Sequence, residues 1–419
     1  MRLSRKFSVF SLSLFLIAGF SPGLGTAQSQ TASISWMETW AASQQAPEPW
    51  NAMRPEDTQD ATIRQVFHLS VGGSMVRIRL SNAWGSNPMT FGAIHLARPV
   101  SSASGTIVAG TDTAVTFFGA TSVTVPPGAE YWSDPVAFPV MALSNVAVSF
   151  YLRWGIGLDQ TGHPGSRATS YYVHGNQVAA LDLPGAQPID HWYQVSGIEV
   201  PAPKHGGDVV ALGDSITDGH ATTTNGNDRW TDDLAERLQA SPATRKIGVL
   251  NEGIGGNQLL DYGLGPDVLA RFDRDVLAQA GARWVIVLEG INDVGGLTRL
   301  GAVPATEHQD LVHRVLGTYE QIVLRAHEHG LKVIGGTLTP FAGSGYYHPG
   351  PESEEDREAI NAWIRTPGHF DAVVDFDKVI RDPEHPQRML AKYDSGDHLH
   401  PSVAGYRAMA DAIPLRLFR

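Results

Sequence analysis

Val209-Val210-Ala211-Leu212-Gly213-Asp214-Ser215-Ile216-Thr217-Asp218-Gly219 has the pattern of a buried strand that ends in a turn and enters a helix. A parallel strand of this kind delivers a side chain to the carboxyl edge of a sheet, where open α/β folds bind their ligands. Ser215 is therefore a candidate nucleophile. A serine hydroxyl also needs a base, a group that orients the base, and hydrogen-bond donors for an oxyanion.

Strands and helices alternate through the second half of the chain, from about 205 to 419. Helical spacing of apolar residues predicts helices at 228–239, 264–279, 304–330, 353–364 and 402–417. Short apolar runs predict further strands at 246–251, 283–289, 332–338 and 372–376. Five strands with helices between them favour a doubly wound parallel sheet of flavodoxin-like type.

Polar side chains follow the predicted strands at positions that share one edge of this sheet. They lie in the segments 213–215, 251–257 and 289–293, and in the loop 394–401 before the last helix. His400 can act as a base for Ser215, and Asp397 can accept its other ring N–H. The backbone N–H groups of Ser215 and Gly256 and the amide of Asn292 can bind an oxyanion.

Each of these segments has a structural alternative. A Gly-Asp-Ser or Gly-Gly-Asn sequence is often only a turn, and Asn292, Asp397 or His400 can cap a helix. The four segments nevertheless fall at one predicted edge in a workable order, and a degenerate site would usually have lost one of these residues. The joint pattern favours an enzyme over a binding module.

On these residues the second half of the chain resembles the SGNH hydrolases, also called GDSL esterases and lipases. The matching blocks are Gly213-Asp214-Ser215-Ile216, the segment 251–257, Gly290-x-Asn292-Asp293 and Asp397-x-x-His400-Pro401. The resemblance implies a serine esterase in which Ser215 is the nucleophile, His400 the base and Asp397 its orienting group. It implies oxyanion donors at Ser215, Gly256 and Asn292, and it requires no metal and no cofactor.

The loop 341–351 is long, rich in glycine and aromatic, and it follows the fourth strand at the same edge. We predict that Tyr346 and Tyr347 in this loop bind substrate, with an ordinary surface loop as the alternative. Glu289 is a further candidate for substrate binding. For the carboxylates of Glu289 and Asp293, fixing the loop by hydrogen bonds is the alternative role.

Short alternating strands predict an all-β sandwich of jelly-roll type at 34–200. Residues 62–70 and 75–81 are predicted to pair as an antiparallel hairpin across a Gly-rich turn. Tryptophans in this part could stack on sugars, with core packing as the alternative. The domain resembles the sandwich that precedes the catalytic domain in some bacterial members described as plant-polysaccharide esterases. That resemblance favours carbohydrate esters, with arylesterase, lipase or thioesterase activity on small or lipidic acyl groups as the alternative.

The first residues have the parts of a secretory signal, namely a basic start, an apolar core at 7–20 and small residues before position 27. We predict cleavage near Ala27 and a secreted or periplasmic protein with no membrane anchor after cleavage. The net charge of −12 argues against a nucleic-acid partner. The chain contains 0 Cys, which excludes disulfides and Cys-ligated metals.

Overall fold

Two antiparallel β-sheets, packed face to face, make up the first part of the computed structural model, which describes residues 34–419. The predicted signal sequence at 1–27 lies outside the described residues. A short helix, α1 (Pro55–Thr58), follows the first strand. The strands of this sandwich are β1 (Trp36–Ala41), β2 (Gln59–His68), β3 (Arg77–Ser81), β4 (Met89–Phe91), β5 (Ala93–Ala97), β6 (Thr113–Ala114), β7 (Val123–Val125), β8 (Glu130–Trp132), β9 (Asn145–Trp154), β10 (Gly162–His163), β11 (Ser170–His174), β12 (Gln187–Ile189), β13 (Trp192–Tyr193) and β14 (Val195–Pro201).

The two larger sheets have the strand orders β1-β14-β3-β8 and β12-β11-β2-β9-β5-β6, and β4 pairs with β7 and β10 with β13 in separate two-stranded sheets. Apolar side chains from both fill the space between them. Trp40 and Trp192 belong to this core, with ring centroids 4.9 Å apart, so for these two the packing interpretation is correct. Trp50 and Trp154 are 76% and 68% exposed.

The predicted hairpin of residues 62–70 and 75–81 is wrong. Strand β2 pairs with β9 and β11, whereas β3 pairs with β14 and β8 in the opposite sheet. The intervening segment leads from one sheet to the other instead of folding back: Gly73 pairs with Val140, and the Val71 N–H donates to Thr39 Oγ1. Because both strands have an apolar face, the same alternation satisfies either arrangement.

The second part of the chain is the predicted α/β fold. Its strands are β15 (Gly207–Gly213), β16 (Ile247–Gly253), β17 (Ala282–Leu288), β18 (Lys332–Gly336) and β19 (Ala372–Val374). Its helices are α2 (Ser215–Asp218), α3 (Trp230–Gln239), α4 (Val268–Phe272) continuing as a π-helical turn (Asp273–Leu277), α5 (Ile291–Thr298), α6 (Ala305–Glu328), α7 (Pro351–Arg365), α8 (Phe376–Ile380), α9 (Val403–Ala412) and a final 3₁₀ turn (Leu415–Phe418).

All five strands of the order β16-β15-β17-β18-β19 are parallel, which confirms the doubly wound sheet. The helix predicted from 264 starts only at Val268, because the Asp267 side chain caps it through the Ala270 N–H. Helix α5 was not predicted, since its sequence contains Gly295 and Gly296. None of the helices in the part of the chain that the structure describes has the length and apolar content needed to cross a membrane.

Strand β1 joins the two parts, because it belongs to the sandwich and also lies beside β16. Ala42, just after β1, forms a parallel bridge with Asn251. The Glu38 N–H donates to the buried carboxylate of Asp208 at 3.0 Å. Residues 35–419 consequently form one compact unit.

Candidate active site

Ser215 is the first residue of helix α2, directly after strand β15. The Asp214 carboxylate accepts a 2.8 Å hydrogen bond from the Ile216 N–H and caps the helix. Gly219 ends it at a φ of 100°, a conformation that glycine adopts without strain. The first N–H groups of a helix have no acceptor inside it, so the Ser215 N–H is free to bind a substrate in the cleft that this residue lines.

The structure brings Ser215, His400 and Asp397 together in one hydrogen-bonded chain. Ser215 Oγ lies 2.8 Å from His400 Nε2, and His400 Nδ1 lies 2.6 Å from Asp397 Oδ2. The other carboxylate oxygen, Asp397 Oδ1, accepts the backbone N–H of His400 at 2.8 Å. The loop before α9 is thereby folded around the carboxylate that orients the imidazole.

Asp397 is held as a carboxylate. Partial burial pushes its pKa up, but the hydrogen bonds from the side chain and backbone of His400 outweigh this effect and hold the pKa well below its usual value. A carboxylate can only accept a hydrogen bond, so the His400 proton sits on Nδ1. The Nε2 lone pair then faces the Ser215 hydroxyl, as a general base requires.

Gly256 lies in the loop after β16 with a φ of 69°. A Cβ atom at this position would lie 3.0 Å from the side chain of Leu264. The sandwich helps to hold this loop, because Gln45 Nε2 donates to the Leu264 carbonyl at 2.7 Å. Gly256 lines the same cleft as Ser215, so its backbone can approach a bound group closely.

Asn292 lies in the first turn of α5, with its amide orientation fixed from both ends. Its Nδ2 donates to the Asn257 carbonyl at 2.7 Å, and its Oδ1 accepts from the Tyr347 hydroxyl at 2.6 Å. A carbonyl can only accept, which identifies the nitrogen of the amide. One Nδ2 hydrogen remains for a ligand in the cleft that Asn292 lines.

A buried arginine supports the loop that carries Gly256. Arg271 Nε donates to Asn257 Oδ1 at 2.9 Å, and its Nη2 donates to the Gly213 carbonyl at 3.0 Å. Its Nη1 reaches Ser43 Oγ of the sandwich at 2.8 Å. One guanidinium therefore joins the end of β15, the loop that carries Gly256 and the first domain.

The two acidic residues near Asn292, Glu289 and Asp293, do not line the cleft. Asp293 accepts hydrogen bonds from the N–H groups of Leu259 and Leu260, both at 3.0 Å. It therefore fixes the loop after β16, which agrees with the alternative role given for this residue in the sequence analysis. The prediction that Glu289 binds substrate is wrong. Glu289 directly follows β17, is fully buried and does not line the cleft, and its Oε2 lies 3.9 Å from Arg271 Nη2.

The cleft above these residues has a volume of about 1110 Å³. Tyr346 is 53% exposed at its rim, with the Arg299 guanidinium 4.0 Å from its ring centroid. Substrate contact by Tyr346 remains a prediction consistent with this position. Tyr347 also lines the cleft, but it is 5% exposed and its hydroxyl is engaged by Asn292. Its hydroxyl therefore fixes the Asn292 amide, and substrate contact by Tyr347 stays a prediction.

Two further residues beside the triad were not predicted from the sequence. The ring of His220 packs on that of His400 with 3.9 Å between centroids, and Arg167 of the sandwich contacts His220. His220 lies five positions after Ser215, where the Gly219 turn brings the chain back, and this spacing was a usable signal. Arg167 has no such signal. Ligand-type atoms of His220, Asp397 and His400 lie within 4.8 Å of one another, but Asp397 and His400 are already bonded within the triad.

Comparison with known proteins gives a family match for the second part of the chain. Residues 211–408 match the GDSL-like lipase/acylhydrolase family. No curated protein matches the chain.

Several solved structures are similar to about half of it. A G-D-S-L family protein from Desulfitobacterium hafniense DCB-2 is 24% identical over 49% of this chain and 96% of that one, with a TM-score of 0.37. A GDSL-like lipase from Bacteroides thetaiotaomicron VPI-5482 is 19% identical over 50% and 87%, with a TM-score of 0.37. A catalytic mutant of an acetylxylan esterase from Geobacillus stearothermophilus is 23% identical over 51% and 94%, with a TM-score of 0.38.

Proposed function

Since residues 211–408 belong to the GDSL-like lipase/acylhydrolase family, we propose that this carboxylic ester hydrolase works through Ser215, His400 and Asp397. The observation that carries the proposal is the unbroken hydrogen-bond chain from Ser215 Oγ to His400 at 2.8 Å and on to Asp397 at 2.6 Å. This chain supplies a nucleophile, a base and a group that orients the base.

In the first step Ser215 Oγ attacks the ester carbonyl carbon while His400 Nε2 takes the hydroxyl proton. The carbonyl oxygen becomes an oxyanion, which binds the N–H groups of Ser215 and Gly256 and the free Nδ2 hydrogen of Asn292. Each such donor contributes about 3 kcal/mol in the transition state. The tetrahedral intermediate then collapses, His400 protonates the alcohol oxygen, and the acyl group remains on Ser215.

In the second step a water molecule attacks the acyl-enzyme. His400, now neutral, accepts a proton from this water and returns it to Ser215 Oγ as the carboxylic acid leaves. The negative charge of Asp397 stabilises the imidazolium that forms in each step. Both steps balance with the ester and water as the only reactants.

For the substrate we propose acetylated carbohydrates, including plant polysaccharides. Tyr346, Arg299 and Gln258 line the cleft, and the exposed ring of Tyr346 has the Arg299 guanidinium over its face. An aromatic face with adjacent polar donors suits a sugar, which has both apolar faces and hydroxyl groups.

A second candidate is an ester with an apolar acyl or aryl group. Leu264 and Leu300 also line the cleft, and they are 47% and 100% exposed. Apolar side chains exposed at the mouth of a site favour an apolar ligand. For the location of the enzyme we propose export to the periplasm or the medium, on the strength of the signal pattern in residues 1–27.

Both parts of the proposal are testable with purified protein. We expect Ser215→Ala to reduce kcat on p-nitrophenyl acetate by about 10⁴-fold or more, while Ser241→Ala, outside the cleft, retains activity. Ser215→Ala that retains most activity would overturn the mechanism. An acyl-length series of nitrophenyl esters, measured beside acetate release from acetylated xylan and pectin, separates the substrates. Preference for acetyl groups with release from polysaccharide supports the first candidate, and a rising rate with acyl length supports the second.

A further inference from the structure

The sandwich domain reaches the helix that carries the nucleophile through the loop 163–169. His163 Nε2 lies 3.0 Å from the Asp218 carboxylate at the end of α2. Arg229, which also donates to the Asp218 carbonyl, donates to the Ser166 carbonyl of the loop. This loop is therefore docked against the immediate support of Ser215.

Arg167 is the residue of this loop that points toward the triad. Its Nη2 donates to His220 Nδ1 at 3.0 Å, and its carbonyl accepts the Asn225 N–H at 2.8 Å. An arginine side chain can only donate, so His220 Nδ1 is an acceptor and the imidazole proton sits on Nε2. Burial, His400 and Arg167 lower the pKa of His220 to about 4, so the ring is neutral at pH 7.

The backbone of His220 is also held by hydrogen bonds. Its backbone N–H donates to the Ser215 carbonyl at 2.8 Å, and its carbonyl accepts the Tyr406 hydroxyl at 2.7 Å. Its ring packs on His400 at 3.9 Å and lines the cleft. Within residues 34–419, no protein group accepts its Nε2–H. The result is a rigid neutral donor beside the catalytic base with no partner in the protein.

We propose that the sandwich completes the active site: Arg167 holds His220 so that its Nε2–H donates a hydrogen bond to the alcohol oxygen of the ester. This inference rests on the proposed function. The alcohol oxygen must lie close to His400 Nε2 in order to receive its proton, and His220 is the donor stacked on that ring. Arg167 is a positioning residue, because it acts only through His220.

The added hydrogen bond works during collapse of the tetrahedral intermediate. As the bond between the acyl carbon and the alcohol oxygen breaks, negative charge develops on that oxygen. His400 transfers its proton there, and His220 keeps its own proton and stabilises the charge. An alkoxide needs this help far more than a nitrophenolate, which is a good leaving group. The decrease in rate on loss of the His220 donor should therefore be larger for an ester with a poor leaving group.

The test compares kcat/KM for ethyl acetate and p-nitrophenyl acetate, because kcat/KM reports the step that releases the alcohol. His220→Phe keeps an aromatic ring and removes the donor, and we expect a loss of about 100-fold on ethyl acetate but only about threefold on the aryl ester. Arg167→Met should shift the ratio in the same direction by about tenfold. His220→Gln, whose amide N–H can replace Nε2–H, should restore part of the ratio. His329→Phe, at the exposed end of α6, is the matched control.

The ratio separates this role from a structural one, since misfolding lowers both rates together. Equal losses on both esters, or no loss on either, would overturn the role of His220. A selective loss in His220→Phe with an unchanged ratio in Arg167→Met would overturn the role of Arg167. If Arg167→Met does not fold, Arg167→Lys, which keeps a donor but lacks the fork of the guanidinium, replaces it and should shift the ratio less. An active Ser215→Ala variant would instead overturn the proposed function itself.

Discussion

The Tyr347 hydroxyl donates a 2.6 Å hydrogen bond to Asn292 Oδ1, which joins the loop after β18 to the first turn of α5. The Tyr347 ring packs so tightly on α5 that a Cβ atom at Gly295 would lie 2.4 Å from it. The amide of Asn292 cannot rotate without losing this bond and the bond to Asn257. The loop at the rim of the cleft therefore fixes the orientation of the Asn292 amide, the proposed oxyanion donor.

Tyr347→Phe removes the hydroxyl and leaves the ring. We expect kcat on p-nitrophenyl acetate to fall about tenfold with little change in KM, because the Asn292 donor acts mainly in the transition state. Asn292→Ala should cost about 10² to 10³ in kcat. Tyr346→Phe is the matched control, and it should affect KM more than kcat. A kcat for Tyr347→Phe equal to that of the natural chain would contradict the positioning role.

Asp397→Asn tests the orientation of His400. The amide can donate to Nδ1, which would place the imidazole proton on Nε2 and remove the base that faces Ser215. We expect kcat to drop by about 10⁴ with the fold retained. Asp411→Asn, which changes the same charge at an exposed site, should be without effect. Steady-state kinetics beside circular dichroism decide the question, and a loss of tenfold or less would exclude Asp397 as the orienting group.

The raised pKa of Asp293 makes the free energy of unfolding decrease as pH rises. Burial raises its pKa to about 7, against the hydrogen bonds from Leu259 and Leu260, whereas an unfolded aspartate titrates near pH 4. Between these values the folded state keeps a proton that the unfolded chain releases. The contribution of this group to the free energy of unfolding is thus complete below about pH 4 and lost as pH rises through about 7.

The Asp293→Asn variant cannot titrate at this position, so it does not lose this contribution as pH rises. The melting temperature of the variant minus that of the natural chain should therefore increase by about 2 °C or more between pH 5 and pH 8. Differential scanning fluorimetry across this range measures the effect. Asp310→Asn, on the exposed face of α6, should show a constant difference. A difference for Asp293→Asn that does not change with pH would show that the carboxyl titrates normally.

The contacts between the sandwich and the α/β part predict that both unfold together. Ser43 Oγ donates to Glu252 at 2.7 Å, and Arg79 Nη2 donates to Gln279 at 2.9 Å, both inside the shared surface. Scanning calorimetry should show one transition with equal calorimetric and van't Hoff enthalpies. Ser43→Ala should lower its midpoint without splitting it. Two separated transitions would show that the domains are thermodynamically independent.

The sequence predicts most of the α/β fold and the place of its candidate site. Residues at the ends of parallel strands must share one edge, so Ser215, Gly256, Asn292 and His400 could be placed together without coordinates. The local polarity of the sequence could not reveal burial: Glu289 follows a strand as the others do, but it is fully buried and does not line the cleft. The pairing of strands in the sandwich could not be predicted from the local sequence pattern either. The alternation of apolar residues in β2 and β3 fits a hairpin and fits strands in two different sheets equally well.

Two residues near the candidate site, Arg167 and His220, were not predicted because they meet only through contacts between distant parts of the chain. Arg167 and His220 are 53 positions apart, and neither lies in a motif. Nothing in the alternation of the sandwich strands marks the loop 163–169 as part of a catalytic centre. Only the docking of the two domains brings these residues together.

The bridge between Ala42 and Asn251 has a consequence for the behaviour of the chain in crowded solution. Strand β16 is the outer strand of the parallel sheet, and unpaired outer strands recruit other chains. Here β1 lies along β16, while the opposite edge is β19, which has only three residues. Neither side offers a long free template for intermolecular pairing. The N-terminal sandwich therefore covers the edge that β16 would otherwise present to other chains, and we expect its removal to expose that edge beside β15.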